Sequence, residues 1–489
     1  MWAKTAFFSI LHSLYDVKIE TNPFSLCRSN SFLLNCFFHF AFLAKYPSSK
    51  KSISRDDIIR LHSRTLSPMA SIHKLPYRYR VGVLLYFLIL ITYLDRVTIS
   101  LVGVRMKAAF QLTNTQFGYA LGAFALAYAL FEIPSALMGD RLGQRKVFLR
   151  IVIWWSLFTA LTGAVTSLTS LIIVRFLFGM GEAGAYPNST GAVSRWFPKT
   201  ETSRGISWFS MGSSSGAALA PLIVVPIAVT FGWRAPFFVN AGLGLVWVLI
   251  CYLWFRNQPS EMKKISPQEK EFIETNRRFV SHDHPFPWKQ AFSRPLVWLL
   301  VTAYFCGQWA NYFFVAWMPN YLQEGKHFSE QEMKMTTTWL FIFGILSAFL
   351  AGFFSDWLIR RKGLRFSRRF IVMCCYTIMA LLVFLSAESS NHLTVTLCLV
   401  SAHFFLPITV INSFSVCVDI GGERACTLAG IMNFFGQLGA FAMSIFFGRI
   451  VDFTHSFDTP QYLMASILLL GALLWIGIDA SKKITFTNR

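Results

Sequence analysis

Charged side chains are scarce in this chain: Asp, Glu, Lys and Arg make up 14% of its 489 residues, against 54% hydrophobic ones. A soluble protein carries about 25% charged residues, so a large water-facing surface is excluded. Cysteine is present nine times, an odd number, and six of the nine (Cys251, Cys306, Cys374, Cys375, Cys398, Cys417) fall inside apolar stretches. That pattern offers neither a disulfide framework nor the spacing of a metal site, and it reads as helix packing. A Gly-rich phosphate loop, a catalytic triad and a soluble domain large enough to hold a nucleotide are all missing. Their absence argues against an enzyme and against any process driven by ATP.

What the chain has is apolar blocks. From Val81 onward there are twelve mostly apolar stretches, at 81–104, 116–138, 148–168, 170–192, 205–230, 234–255, 296–322, 333–355, 370–388, 392–417, 425–449 and 461–480. Each is long enough to cross a bilayer core of about 30 Å as a helix. The net charge of +21 would suggest nucleic acid on a soluble domain. Here it sits in loops: Arg141, Arg145, Lys146 and Arg150 after span 2, and Arg360, Arg361, Lys362, Arg365, Arg368 and Arg369 after span 8. Loops 3-4 and 9-10 carry no Lys or Arg. The positive-inside bias therefore predicts a cell (cytoplasmic or inner) membrane protein with both termini cytoplasmic, and no nucleic-acid partner.

Residues 1–78 fit the rest poorly, with one apolar run, Ser31 to Ala44, too short to span comfortably. They read as a targeting extension or, preferably, as an over-extended start with Met69 as the true beginning. Residues 79–255 form a first group of six spans, 256–294 a hydrophilic linker, 295–482 a second group of six, and 483–489 a tail. The halves echo each other: Gly139-Asp140-Arg141-Leu142-Gly143-Gln144-Arg145-Lys146 follows span 2, and Ser355-Asp356-Trp357-Leu358-Ile359-Arg360-Arg361-Lys362-Gly363 follows span 8. Such a repeat predicts an all-α membrane protein, two pseudo-symmetric six-helix bundles with a binding site between them.

The stretch from Asp140 to Lys146 resembles the signature loop of the major facilitator superfamily, with Ala136 and Gln144 where the family often has Gly and Arg. Tyr93-Leu94-Asp95-Arg96, Arg175 through Gly179, Gly181-Glu182-Ala183-Gly184 to Pro187, Trp196-Phe197-Pro198 and Gly232-Trp233-Arg234 resemble the anion:cation symporter branch. That branch includes hexuronate, aldonate, tartrate and phthalate permeases and vesicular organic-anion carriers. The resemblance runs from Pro76 to Lys482 and includes Trp317 to Leu322 and Gly430 to Asn433; Thr98 departs from it, standing where Asn is common. It implies a secondary transporter that moves a small organic anion with protons, sodium being the alternative ion, as a monomer in the lipid bilayer, without cofactor or metal. The other readings are an exchange-mode organic-anion carrier and a sensor of the same fold that binds without transporting.

Ionised side chains in mid-membrane cost about 2.5 to 3.5 kcal/mol each on insertion scales, so their presence needs a reason. Asp95 and Arg96 lie in span 1, with Tyr93 one turn back on the arginine's face. Arg175 and Glu182 are seven apart in span 4, two turns and hence one face, with Gly179 between them. The plain alternative is a pair of internal ion pairs, Asp95 with an arginine and Arg175 with Glu182, that only hold helices together. Transport is preferred, because intramembrane charges usually mark pathways. By resemblance, Arg96 and Arg175 would neutralise a substrate carboxylate, and Asp95 and Glu182 would be the proton-coupling carboxylates. Burial disfavours charge on a carboxyl while a neighbouring arginine restores it, so protonation would release an arginine to the anion.

Weaker candidates share helix faces: Tyr128 with Glu132 in span 2, Gln308 with Asn311 and Tyr312 in span 7, Asn433 with Gln437 in span 11. They could bond substrate hydroxyls or bridge helices, and Tyr128, Asn311 and Asn433 are taken as substrate-binding. Glu132 is set aside because it nears the end of its span. Mixed surroundings leave both a sugar acid (Tyr93, Asn311, Asn433) and a dicarboxylate or aromatic acid (Phe313, Phe314, Phe434, Phe435) open. Gly118, Gly122, Ala125 and Ala129, and again Gly212 and Gly216, form small-residue stripes that read as packing before sliding surfaces. His282-Asp283-His284 reads as solvated loop, since a metal wants three or four converging ligands. The sequon Asn188-Ser189-Thr190 sits at the end of span 4 and reads as chance. By resemblance, Asp140, Arg141, Arg145 and Asp356 form a gate, with Asp140 against the N-terminus of a helix in the other half; a solvated basic loop is the simpler reading. Asp140→Asn is expected to slow uptake several-fold with the substrate profile unchanged in a competition assay.

Overall fold

The computed structural model describes residues 75–198, 201–276, 288–421 and 425–482. The chain divides into two units, Met1–Lys74 and Leu75–Arg489, and all described residues belong to the second; the N-terminal extension expected over residues 1–78 lies outside them up to Lys74, while its last residues Tyr77 and Arg78 already belong to the first helix. The long helices are α1 (Tyr77–Leu101), α2 (Asn114–Leu142), α3 (Gln144–Ala164), α4 (Leu168–Glu182, continued after a turn by Ala185–Trp196), α5 (Thr202–Phe231) and α6 (Ala235–Trp254). The second group is α7 (Pro295–Tyr312), α8 (Glu330–Lys362), α9 (Leu364–Glu388), α10 (His392–Gly421), α11 (Ala425–Thr454) and α12 (Thr459–Gly477).

Eleven of these are long and apolar enough to cross a membrane. The exception is α7, expected as one continuous span. Its α-helix stops after 18 residues and carries Gln308 and Asn311; the chain then continues in wide π turns at Phe313–Trp317 and Tyr321–Gly325. Helix α6 shows what the others face: it buries Phe237, Asn240, Ala241, Gly244, Trp247 and Cys251 along one stripe. On its other side Val246, Leu249 and Leu253 are 57%, 57% and 64% exposed. An apolar stripe left outward on an apolar helix is a surface for lipid.

Helix pairing repeats with a shift of six. In the first half α1 packs on α5, α2 on α4 and α3 on α6; in the second α7 packs on α11, α8 on α10 and α9 on α12. Between halves, α2 meets α11 and α5 meets α8, again a related pair. Glycines set how close these helices come. A Cβ on Gly212 or Gly216 would strike the carbonyl oxygens of Tyr86 and Leu90 on α1, within one half. A Cβ on Gly118 would strike the Ser444 carbonyl on α11, in the other half, and Gly122 faces Phe441 and Ile445 there. The two small-residue stripes thus do different things: one closes a bundle, the other joins the two.

The halves are bridged at the end where α1 and α7 finish and α2 and α8 begin. Ser100 Oγ donates to the Val315 carbonyl (2.9 Å), which lies in the first π turn. Arg105 pairs with Glu330 (2.8 Å) and donates to the Ala228 carbonyl (3.0 Å). Lys107, 6% exposed, pairs with Glu324 and donates to Asn114 Oδ1 (2.7 Å). Burial lowers the pKa of this lysine from its ordinary value, and the Glu324 carboxylate acts the other way. Asp452 on α11 accepts from the backbone N–H of Asn114 (3.1 Å) and Thr115 (2.7 Å), so its charge sits on the positive N-terminus of α2. The opposite end carries the basic loops. There Arg78, at the start of α1, holds Glu201 (2.8 Å) and Glu269 (3.1 Å) of the linker helix Pro267–Asn276.

Replacing Gly212 by Leu forces α5 off α1 and is expected to cost about 1 to 3 kcal/mol, seen as a lowered Tm in detergent. Gly242→Ala, where the added Cβ meets nothing within 4 Å, is the control that leaves it unchanged.

Candidate functional site

Asp95 and Arg96 are neighbours, and on a helix neighbours point about 100° apart. Their surroundings differ accordingly. Asp95, 3% exposed, is turned toward Thr159 of α3 and Asn240 of α6, and neither of its carboxylate oxygens has a hydrogen-bond partner among the described residues. Asn240 Nδ2 donates instead to Thr98 Oγ1 (2.9 Å). The residue that departs from the family pattern is therefore tied to α6.

Arg96 is turned toward α2 and α4. Its Nε donates to Glu182 Oε1 at 2.8 Å, and its Nη2 reaches the same oxygen. Three rings box the guanidinium, with centroids at 4.9 Å for Tyr93, 4.8 Å for Tyr128 and 5.2 Å for Phe124. Glu182 is fully buried, and its second oxygen, Oε2, has no partner.

Arg175 differs from Arg96. It is 2% exposed, between Phe178 (4.6 Å) and Phe124 (4.9 Å), and forms no hydrogen bond or ion pair among the described residues. Tyr312 of α7 lies within electrostatic reach of Arg175, Arg96 and Glu182. The pairings of the plain alternative, Asp95 with an arginine and Arg175 with Glu182, do not form: Glu182 binds Arg96, and Asp95 and Arg175 have no salt bridge among the described residues. Spacing along one helix put Arg175 and Glu182 on a common face but said nothing of the side chain arriving from α1.

On the other half, Asn311 Nδ2 donates to Gln308 Oε1 one turn earlier (2.9 Å). Asn433 donates across to the first half, its Nδ2 lying 2.9 Å from each oxygen of Glu132. Glu132 was set aside as close to a helix end, yet α2 runs on to Leu142, which leaves it well inside the helix. Its position one turn from Tyr128 was the available signal. Phe124, one turn the other side of Tyr128, was also missed; it stands against both arginines.

At the basic end Arg141 is exposed, and Arg145 donates to the Tyr252 carbonyl (2.6 Å) within its own half. The side chains of Asp140 and Asp356 lie outside the described residues, as does His282-Asp283-His284. Arg145 pairs with no carboxylate and makes no hydrogen bond to the other half among the described residues. No group of three metal-ligating side chains occurs among them either. Asn188 of the sequon is buried and donates to the Ser135 carbonyl (3.2 Å).

The family model of the Major Facilitator Superfamily matches residues 85–444. The chain is 29% identical over 404 residues to the probable sulfoacetate transporter SauU of Cupriavidus necator, covering 81% of this chain and 92% of that protein. It is 28% identical over 425 residues to a D-galactonate transporter of Escherichia coli, covering 83% and 96%. Among solved structures, a bacterial homolog of the human lysosomal transporter Spinster, in an inward-facing and occupied conformation, superposes with a TM-score of 0.70 at 18% identity, covering 83% of this chain and 97% of that one.

Proposed function

The chain belongs to the Major Facilitator Superfamily, and we propose that it carries a small organic anion across the membrane by proton-coupled symport, with alternating access to one central site. The observation that carries this reading is Arg175: a guanidinium buried between Phe124 and Phe178 that forms no hydrogen bond or ion pair among the described residues, with Glu182 and Asp95 acting on it only at longer range. A buried cation with no partner is costly, and a substrate carboxylate is the group that would repay it. The named cargo of the relatives, sulfoacetate and D-galactonate, supports an anion of this size.

Arg96 is the second arm of the clamp, held back by Glu182. A proton on the free Oε2 of Glu182 removes the charge that holds Arg96 and turns it toward the anion. Asp95 is the second proton-coupling carboxylate, its unpartnered oxygens facing α3 and α6. Tyr93, Tyr128, Asn311 and Asn433 bond the rest of the substrate. The halves, residues 79–255 and 295–482, rock about this point, with the basic end and both termini in the cytoplasm and the loop residues Asp140, Arg141, Arg145 and Asp356 as the gate there. The chain acts as a monomer.

Uptake into proteoliposomes of a panel of aldonates, hexuronates, dicarboxylates and aromatic acids, with and without a pH gradient, tests the reading. Arg175→Gln is expected to lower uptake of the best substrate by roughly 30-fold or more, for a cost of about 2 kcal/mol; near-normal uptake would contradict the role of Arg175. Glu182→Gln is expected to lose pH-driven accumulation and keep exchange; accumulation that still follows the pH gradient would sink the coupling assignment.

A further inference from the structure

The contact between Glu132 and Asn433 stands apart from the other bridges between the halves. Ser100, Arg105, Lys107 and Asp452 all act at the far end of the helices, whereas Glu132 lies about 6 Å along α2 from Tyr128, whose ring covers Arg96. It is the one side-chain bridge between the halves, among the described residues, that adjoins the arginines.

The Asn433 amide nitrogen is 2.9 Å from both carboxylate oxygens, so both oxygens accept, as those of an ionised carboxylate do. Each oxygen retains a free lone pair, and Asn433 Oδ1 forms no bond among the described residues. A substrate carboxylate at the arginines therefore has, one tyrosine away, a pole made of acceptors and one negative charge. The titratable groups facing Glu132 are Arg96 of α1, Tyr304 of α7 and, one turn away on α2 itself, Tyr128. Arg96 is already committed to Glu182, and the two tyrosines carry no charge to offset a second anion.

Resting on the anion reading above, we propose that Glu132 is a specificity-determining residue: with Asn433 it selects monoanions of sugar-acid length whose far end carries hydroxyl donors, and it rejects dianions. A hydroxyl at the far end donates to Glu132 or to Asn433 Oδ1. A second carboxylate there brings two like charges together and leaves the acceptors of Asn433 and Glu132 unsatisfied. This decides between the sugar-acid, dicarboxylate and aromatic alternatives in favour of the first.

D-gluconate and D-glucarate test it, since they differ only in the distal group, a hydroxymethyl in one and a carboxylate in the other. Uptake of each is measured in proteoliposomes of the full chain, for wild type, Glu132→Gln and Glu132→Asp, each checked for a single folded species in detergent. Wild type is expected to prefer D-gluconate, E132Q to raise the glucarate-to-gluconate ratio about tenfold, and E132D, which keeps the charge, to retain the wild-type preference. An unchanged ratio in E132Q, equal uptake of the two acids by wild type, or uptake of neither overturns the proposal. If the anion reading itself is wrong, Arg175→Gln matches wild type for every compound of the wider panel; if only the role of Glu132 is wrong, Arg175→Gln still abolishes uptake of whichever acid is carried.

Discussion

Two guanidinium groups and two carboxylates, those of Asp95 and Glu182, share the middle of this protein, and how they pair governs the rest. Glu182 is bound to Arg96 and Asp95 forms no ion pair among the described residues, which leaves Arg175 buried against two phenylalanine rings without a salt bridge. Aromatic faces soften the cost of a buried cation but do not cancel a unit charge. A site in that condition attracts an anion, and any change in the charge of Glu182 shifts how strongly it does so. In the function proposed above, binding and coupling are then two consequences of one arginine left without an ion pair.

The helices around the cluster hold it in place. Paired carbonyl contacts at Gly212 and Gly216 fix α1 to α5, so Arg96 arrives at Glu182 from a stiff element. The bridge at the far end uses groups of another kind: Lys107 and Arg105 with carboxylates, and Asp452 on a helix N-terminus, all of which can part and be rehydrated. The wide turns after Tyr312 leave carbonyls such as that of Val315 free to accept from α1. Within halves the contacts are close helix packing; between them the polar bridges at this end accompany the glycine packing of α2 on α11.

Much of this was legible in the sequence, for identifiable reasons. Apolar blocks and basic loops report on lipid and topology, because the bilayer demands about 20 apolar residues per crossing wherever they occur. The four central charges were conspicuous against that background. Which charges meet was not legible. Asp95 and Arg96 adjoin in sequence and diverge in space, and Arg175 and Glu182 share a face without forming a pair, because the partner of Glu182 comes from a helix more than eighty residues away. Glu132 was misjudged because an apolar run ends sooner than the helix that contains it: α2 continues through Asp140 and Arg141 to Leu142. The shortfall of α7 is the converse, since a π turn at Phe313–Trp317 ends the α-helix without ending the apolar run.

The account stands or falls on what meets Arg175. A cryo-EM structure of the protein saturated with a transported carboxylate measures this directly. The prediction is carboxylate oxygens within hydrogen-bond distance of the Arg175 guanidinium, with Phe124 and Phe178 still flanking it. Arg175 paired instead with Asp95 or Glu182, and the anion bound elsewhere, would contradict it.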